Sequence, residues 1–287
     1  MLVKKSKKLY KTCFFKFLHV RIIACVPVDI VQNGQVVGVQ FIDCSTCGGS
    51  WISGKFILTA AHCATQAQTA IGYYINPASN LYQNNMSGGI KTIKHHECWQ
   101  FNDQLSQTMG YDIMLLEADT DDIFPEPVRL ATPDNLDALS NDHPSEEHFV
   151  SYGFGRLLTD STARPQVLQK TGSIQYMRCD LMVYYQDRTD VMCFVTENEN
   201  QICSGDSGGP RVQENVQYGI HSGIFSATGS PVCEHNSELS FNSFFQQYVL
   251  SGGSMAIDTA VGDYYTWIRG NSDYDPEAKF FGDEVIV

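Results

Sequence analysis

Short apolar runs separated by turn-forming residues dominate the pattern of this chain. Runs rich in Val, Ile, Phe and Tyr, bounded by Gly, Asn or Ser, occur at residues 36–42, 50–58, 149–155 and 218–223. Stretches with the 3.6-residue period of an amphipathic helix are nearly absent, apart from residues 256–269, whose apolar side chains share one helical face. The pattern predicts an all-β protein with one helix near its carboxyl end.

A stretch rich in Pro, Asp and Asn divides the chain into two halves. It covers residues 125–145 and has the composition of a connecting loop. The length of 287 residues allows one large domain or two smaller ones of about 100–150 residues each. No run approaches the length of about 18 uncharged apolar residues that a spanning helix requires, so we expect no membrane span.

Net charge and cysteine content limit the possible partners and the cellular location of the protein. The formal net charge is −13 and the isoelectric point is near 4.9, which argues against binding to a phosphate backbone. The ten cysteines are scattered singly, which fits a secreted protein with up to five disulfides better than a reduced cytosolic one. We therefore expect no nucleic-acid partner, and an extracellular location, or a periplasmic one in a bacterium.

The first 21 residues have the basic start of a signal peptide but not its apolar centre. Five lysines lie between residues 4 and 11, and Lys16, His19 and Arg21 then interrupt the apolar run. An unusual export signal, an incorrectly assigned start and a propeptide all stay open. Residues 22–25 also resemble a bacterial lipoprotein box, although the charges of Lys16 and Arg21 count against lipidation there.

The segment CSGDSGGP at residues 203–210 carries the strongest chemical signal. Its glycines permit positive φ and let the amide N–H groups of Gly205 and Ser207 face a carbonyl oxygen, which predicts a nucleophilic serine beside an oxyanion site. Taken alone, the same pattern is also typical of a glycine-rich surface turn. Other segments must therefore decide between the two interpretations.

Two segments of the first half supply a histidine and an acid. His62 lies directly before Cys63, and Cys47 lies 15 residues before the histidine, so a Cys47–Cys63 disulfide would fix the turn that bears His62. Asp112 opens the apolar run DIMLL, and a carboxylate about to be buried needs a partner such as a histidine N–H.

Two patterns of metal-ligand type do not predict a metal site. CSTC at residues 44–47 has neither a second cysteine pair nor a βαβ context for redox chemistry. HHEC at residues 95–98 places adjacent histidines on opposite faces of a strand and favours a solvated loop.

Taken together, five segments resemble the chymotrypsin/trypsin-type serine proteases in order and approximate spacing. They are CGGS at 47–50, TAAHC at 59–63, DIMLL at 112–116, SYGFG at 151–155 and GDSGGP at 205–210. The resemblance covers roughly residues 22–270. It implies two packed antiparallel six-stranded β-barrels followed by an α-helix, with the active site in the cleft between the barrels.

The domain bounds that the resemblance implies follow the chain in order. Residues 1–21 form a signal- or propeptide-like segment, and residues 22–270 form the protease domain. Within this domain, we expect the first barrel at about 22–130, the second at about 146–257 and the helix at about 258–269. Residues 271–287 are expected to form a loosely attached acidic tail.

The resemblance also implies a role for each group of the site. Ser207 would attack the scissile carbonyl, His62 would take its proton and Asp112 would hold the imidazole, with an acyl-enzyme as intermediate. The amides of Gly205 and Ser207 would form the oxyanion hole, and Ser222 would contact Asp112 and the substrate backbone. No cofactor and no metal are implied. The partners would be protein or peptide substrates and protein protease inhibitors, and the enzyme would be a monomer.

Activation by cleavage is the family's usual route from zymogen to enzyme. Arg21 and Ile22 stand at the expected place, and the new amine of Ile22 would pair with Asp206. The family's next two residues are usually glycines, whereas this chain has Ala24 and Cys25.

Substrate preference follows from the base of the specificity pocket. The residue six before the serine is Gln201, not the acid of trypsin-like enzymes, which predicts medium or large uncharged P1 side chains rather than Arg or Lys. A shifted alignment would bring Asp258 to the pocket.

The family's disulfides account for six of the ten cysteines. The implied pairs are Cys47–Cys63, Cys179–Cys193 and Cys203–Cys233. The four cysteines that remain allow three connectivities, which the sequence leaves open; they are Cys13, Cys25, Cys44 and Cys98.

Two other functions compete with that of a peptidase. A protease-like binding protein without turnover is the alternative, and loss of a triad member would signal it. An α/β-hydrolase elbow at Ser207 would need Glu214 followed by His221 or His235, but Gly-Gly-Pro after the serine is a poor helix start.

Overall fold

A computed structural model describes most of the two predicted halves. The described residues are 26–27, 35–42, 45–64, 70–74, 87–101, 111–120, 126–141, 148–156, 165, 168–171, 174–177, 179, 188–196, 202–226, 254–278 and 280. Within them no helix is long and apolar enough to cross a membrane.

The first half forms a closed barrel of six antiparallel strands. The strands of this half are β1 (Val26–Pro27), β2 (Val36–Phe41), β3 (Thr46–Trp51), β4 (Phe56–Thr59), β5 (Ala70–Tyr74), β6 (Gly88–His95), β7 (Met114–Asp119) and β8 (Arg129–Leu130). The barrel order is β2-β3-β4-β7-β6-β5, closed by pairing of β5 with β2. Its interior is filled by alternate apolar residues of these strands, such as Val37, Val39 and Phe41.

The second half closes in the same way. Its strands are β9 (His148–Gly153), β10 (Gln169–Lys170), β11 (Ile174–Met177), β12 (Val191–Thr196), β13 (Pro210–Gln213), β14 (Val216–Ser226) and β15 (Ser254–Ala260). The order is β9-β11-β12-β15-β14-β13, and β13 pairs back with β9. The two six-stranded barrels and the helix that follows them confirm the predicted fold class.

Short pieces of chain cross between the halves. β1 pairs with β10, so the start of the described chain belongs to the sheet of the second half and not to the first barrel, where the sequence placed it. β8 pairs in parallel with β14. These crossings attach each barrel to the backbone of the other.

The run at residues 50–58 is two strands rather than one. A turn separates β3 from β4, and the hydroxyl of Ser53 accepts the N–H of Phe56 at 3.1 Å. Serine hydroxyls support tight turns of this kind, which an apolar count over the window does not detect.

The predicted connecting loop contains helix α1 (Pro133–Asn141). Its start is capped reciprocally, because Thr132 Oγ1 accepts the N–H of Asn135 at 3.3 Å and Asn135 Oδ1 accepts the N–H of Thr132 at 2.9 Å. Asp134 and Asn135, two of the residues that suggested a loop, therefore lie in the first turn of a helix.

The carboxyl-terminal helix is shorter than the predicted 258–269. It is α2 (Tyr265–Asn271), preceded by a 3-10 turn, Gly262–Tyr264. Residues up to Ala260 remain in β15, because they pair with β12 on one side and β14 on the other. Their burial in the barrel produced the apolar pattern that resembled a helix.

The predicted loose tail is packed over its described part. Tyr274 and Phe280 are buried in the apolar core of the first barrel, and the Tyr274 hydroxyl accepts the N–H of Leu130 at 3.0 Å. The Arg129 guanidinium lies 4.5 Å from the centre of the Phe280 ring. Two buried aromatic side chains thus attach this segment to the first barrel, in spite of its acidic composition.

Candidate active site

Asp112 lies at the junction of the two barrels. It precedes β7 and is fully buried, at 0 % exposure. Its Oδ1 accepts the backbone N–H of His62 at 2.7 Å, and its Oδ2 lies 2.7 Å from His62 Nδ1. From the second barrel, the Ser222 hydroxyl donates to Oδ2 and the Thr259 hydroxyl donates to the Asp112 carbonyl at 3.1 Å. The acid is therefore held by both halves of the molecule.

His62 is fixed by its position on a short turn. It lies in the 3-10 turn Ala61–Cys63, which the Cys47–Cys63 disulfide ties to β3. Burial lowers the pKa of His62, but the Asp112 carboxylate, through its charge and its hydrogen bond, outweighs burial and raises the pKa above its ordinary value of 6.5. The imidazole is thus oriented through Nδ1 and made more basic.

The segment around Ser207 is a tight turn built on two glycines with positive φ. Gly205 has φ 102° and Gly208 has φ 79°. The N–H of Asp206 donates to the carbonyl of Cys203, and that of Gly209 donates to the carbonyl of Asp206, both at 2.8 Å. The predicted glycine requirement is met at these two positions.

The same turn touches the first barrel directly. The N–H of Gly48 donates to the Ser207 carbonyl at 2.7 Å. A Cβ on Gly48 would lie 2.8 Å from Gly209 Cα, so a side chain at residue 48 would push the turn away. This close approach explains why the CGGS segment has a glycine at residue 48.

The Asp206 carboxylate is seated among backbone groups. Its Oδ1 accepts the N–H of Gly155 at 2.6 Å, and its Oδ2 accepts the N–H of Cys203 at 2.7 Å. A Cβ on Gly155 would meet both carboxylate oxygens, which explains the small residues of SYGFG. The carboxylate thereby links the turn to the end of β9.

The structure therefore brings together residues from all five segments of the resemblance, and Ser222 in addition. His62, Asp112 and Ser222 form one hydrogen-bonded chain, and the turn of Gly205, Asp206 and Ser207 adjoins it. Arg21, Ile22, Gln201 and Cys233 lie outside the described residues, as do Cys13, Cys25 and Cys44.

The described cysteines settle part of the disulfide question. Cys179 is bonded to Cys193, as the resemblance implied, and Cys203 is disulfide-bonded. Cys98 carries a free, exposed thiol in the turn after β6, so it takes part in none of the three connectivities that the sequence left open. The preceding residue, Glu97, is also exposed, and the N–H of Cys98 donates to His96 Nδ1 at 3.2 Å.

Sequence reasoning missed a buried charged cluster in the second barrel. Arg211, His221 and Asp258 are each at 0 % exposure, on the neighbouring strands β13, β14 and β15. The contacts span 37 and 47 residues of sequence, so no local motif signals them. Over the described part of the chain, no group of three or more His, Cys, Asp or Glu residues could hold a metal ion.

Comparison with known proteins agrees with this geometry. The family model named Trypsin matches residues 28–245. Chymotrypsin-like elastase family member 1 of Rattus norvegicus is 30% identical over 200 residues, covering 66% of this chain and 70% of that protein. The same protein of Canis lupus familiaris is 28% identical over 236 residues, covering 78% of this chain and 80% of its own length. Among solved structures, mouse neuropsin, described as a serine protease, aligns with a TM-score of 0.61 at 20% identity, over 87% of this chain and 97% of that one.

Proposed function

Because the chain belongs to the trypsin family of serine proteases, we propose that it is an endopeptidase whose nucleophile is Ser207. The observation that carries the proposal is the hydrogen-bonded chain from His62 through Asp112 to Ser222, which joins the two barrels beside the Ser207 turn.

In the proposed reaction, His62 acts as the base. Its Nδ1 faces Asp112, which leaves Nε2 to take the hydroxyl proton as Ser207 Oγ attacks the scissile carbonyl. The same proton passes to the leaving amine as the peptide bond breaks, leaving an acyl-enzyme. A water molecule then repeats the sequence and releases the acid. The raised pKa of His62 suits an imidazole that must hold the proton from the time it leaves the Ser207 hydroxyl until it reaches the leaving amine.

The amides of Gly205 and Ser207 are the proposed oxyanion donors. Positive φ at Gly205 allows two amides on either side of Asp206 to face one point, as in anion-binding turns. Removing one such donor typically costs about 3–4 kcal/mol of transition-state stabilisation. Asp206 supports them by fixing the turn through the N–H groups of Gly155 and Cys203.

We further propose that the protein is secreted as a zymogen. Cleavage after Arg21 would remove seven basic and no acidic residues, which takes the net charge from −13 to −20. The new amine of Ile22 would join the seat of Asp206, and an ion pair there would be buried, so its loss would disorder the oxyanion turn. The substrates would be proteins cleaved after medium or large uncharged residues, because Gln201 supplies no charge at the pocket base. We expect a monomer that protein protease inhibitors can block.

Labelling with a fluorophosphonate tests the proposal, because this reagent bonds only to an activated serine. We expect the recombinant chain, cleaved after Arg21, to take up one label at Ser207. Ser207→Ala should take up none, and Ser204→Ala, an exposed serine in the same turn, should label as wild type does. Turnover of a peptide amide by Ser207→Ala would contradict the proposal. The absence of label before and after cleavage would favour the binding protein instead.

A further inference from the structure

The buried cluster of Arg211, His221 and Asp258 lies directly behind the nucleophile turn. Arg211 Nε donates to Asp258 Oδ2 at 2.7 Å and Nη2 donates to Oδ1 at 3.3 Å, while His221 Nδ1 lies 3.3 Å from both oxygens. Arg211 also donates to the Ser151 hydroxyl, and its guanidinium lies 4.2 Å from the centre of the Phe194 ring. Burial alone would raise the pKa of Asp258, but Arg211 and then His221 lower it to about 2.

Room for the cluster is provided by a glycine. A Cβ on Gly219 would lie 2.8 Å from Asp258 Oδ2 and 3.2 Å from Arg211 Cβ. Any larger residue on β14 at this place would press on the ion pair. The glycine in β14 therefore leaves the space that the ion pair occupies.

His221 connects the cluster to the turn that carries Ser207. Its carbonyl accepts the N–H of Gly208 at 2.8 Å, and its N–H donates to the carbonyl of Gly209 at 3.0 Å. The ring edge packs against the same turn, since a Cβ on Gly209 would lie 3.2 Å from His221 Cδ2. The next residue, Ser222, donates to Asp112. Two consecutive residues of β14, His221 and Ser222, therefore contact the nucleophile turn and Asp112, respectively.

An ion pair in this position is hard to explain by stability alone. Buried ion pairs can often be replaced by apolar side chains of similar volume without loss of stability. Directional contacts are what such a pair supplies: Asp258 fixes the Nδ1 side of His221 and so the angle at which the ring meets Gly209. Among the described residues, the Nε2 atom on that ring edge has no hydrogen-bond partner, so Asp258 is the polar contact that orients the ring.

We infer that Arg211 and Asp258 are positioning residues of the peptidase site, which hold His221 against the Ser207–Gly209 turn and thereby aim the nucleophile. This inference rests on the proposed function. Neither residue touches the substrate, and each acts through His221. Displacing a reacting group by about 1 Å can cost about 100-fold in rate, so we expect losses of about 10- to 100-fold when the cluster is removed.

The test compares two variants of the cleaved enzyme. Arg211→Met with Asp258→Leu removes both charges together and leaves no unpaired ion, whereas Asp258→Asn keeps the shape and loses the charge. We expect the fluorophosphonate labelling rate constant and kcat to fall about 10- to 100-fold in each, with KM within twofold and the near-ultraviolet circular dichroism of wild type. The labelling rate constant is a property of the folded molecules, whatever their fraction in the sample.

Ser50→Ala is the matched control, because it removes a buried hydrogen bond of 2.6 Å, to Gln217, that does not reach the turn. It should label at the wild-type rate. Wild-type rate constants in either cluster variant would overturn the inference, as would a loss in Ser50→Ala as large as theirs. A wild-type enzyme that takes no label would instead contradict the proposed function, and the inference with it.

Discussion

Replacing Asp112 by asparagine should move the proton of the neutral His62 imidazole from Nδ1 to Nε2. Oδ1 faces the backbone N–H of His62, which can only donate, so the amide oxygen of asparagine must take that place. The NH₂ group then occupies the position of Oδ2, opposite His62 Nδ1. A donor there stabilises the tautomer with its proton on Nε2, which cannot accept a proton from Ser207.

The fall in kcat expected for Asp112→Asn comes from a lost charge-assisted hydrogen bond and from the wrong tautomer of His62. A charge-assisted hydrogen bond contributes about 1.5–3 kcal/mol, or about 10- to 150-fold, and the wrong tautomer must first be reversed. For this change in the triad of the family, kcat falls about 10⁴-fold, and we expect a similar loss of about 10³- to 10⁴-fold here. Ser222→Ala, which removes one donor to Asp112 and leaves His62 oriented, should lose less than about tenfold.

The pH dependence gives a second measure of the same contact. Asp112 raises the pKa of His62, and catalysis needs the neutral imidazole, so the acidic limb of kcat/KM should lie above pH 6.5 in the wild type. Asparagine removes the two effects that raise this pKa and leaves burial, which lowers it. The limb should therefore move to lower pH, as measured with a peptide anilide across the pH range. A variant within tenfold of wild-type kcat, or an unmoved limb, would refute the reasoning.

Three further changes test the fold around the site. Gly208→Ala imposes a side chain at φ 79° and places its Cβ 2.6 Å from the Gly48 carbonyl; we expect the thermal midpoint to fall by about 2–8 °C with loss of labelling, and an unchanged midpoint would show that the turn relaxes. Tyr274→Phe leaves the Leu130 N–H without its acceptor, so unfolding should become easier by about 1–3 kcal/mol at full activity, and wild-type stability in urea would count against the packed tail. Cys98 should react with a maleimide in the folded protein without loss of activity, and resistance to the reagent would disprove the free thiol.

The sequence singles out those groups of the candidate site that carry a local signal of their own. Ser207 is flanked by the glycines its turn requires, and Asp112 opens an apolar strand that must bury it. Such signals depend on neighbouring residues in the sequence, so they can be recognised before the fold is known. The family's order of motifs also implied two six-stranded barrels and a helix, and the structure confirms this fold class.

What the sequence could not supply depends on contacts between distant strands. Asp258 was assigned to a helix because β15 lacks the alternation of a half-exposed strand, and its partner Arg211 lies 47 residues away. Whether the two meet is decided by strand register, which no window of residues contains. The tail was misjudged for a similar reason, because acidic composition says nothing about where Phe280 can bury its ring.

Several hydrogen bonds that build the candidate site also join the two barrels. Gly48 of the first barrel donates to the Ser207 carbonyl of the second, and Ser222 and Thr259 of the second donate to Asp112 of the first. Neither half therefore contains the whole candidate site, and any motion that separates the barrels also takes the Ser207 carbonyl away from Gly48 and the Ser222 hydroxyl away from Asp112. Loss of labelling on heating should accordingly coincide with separation of the halves rather than follow the melting of either barrel, so the activity itself reports how the two barrels are docked.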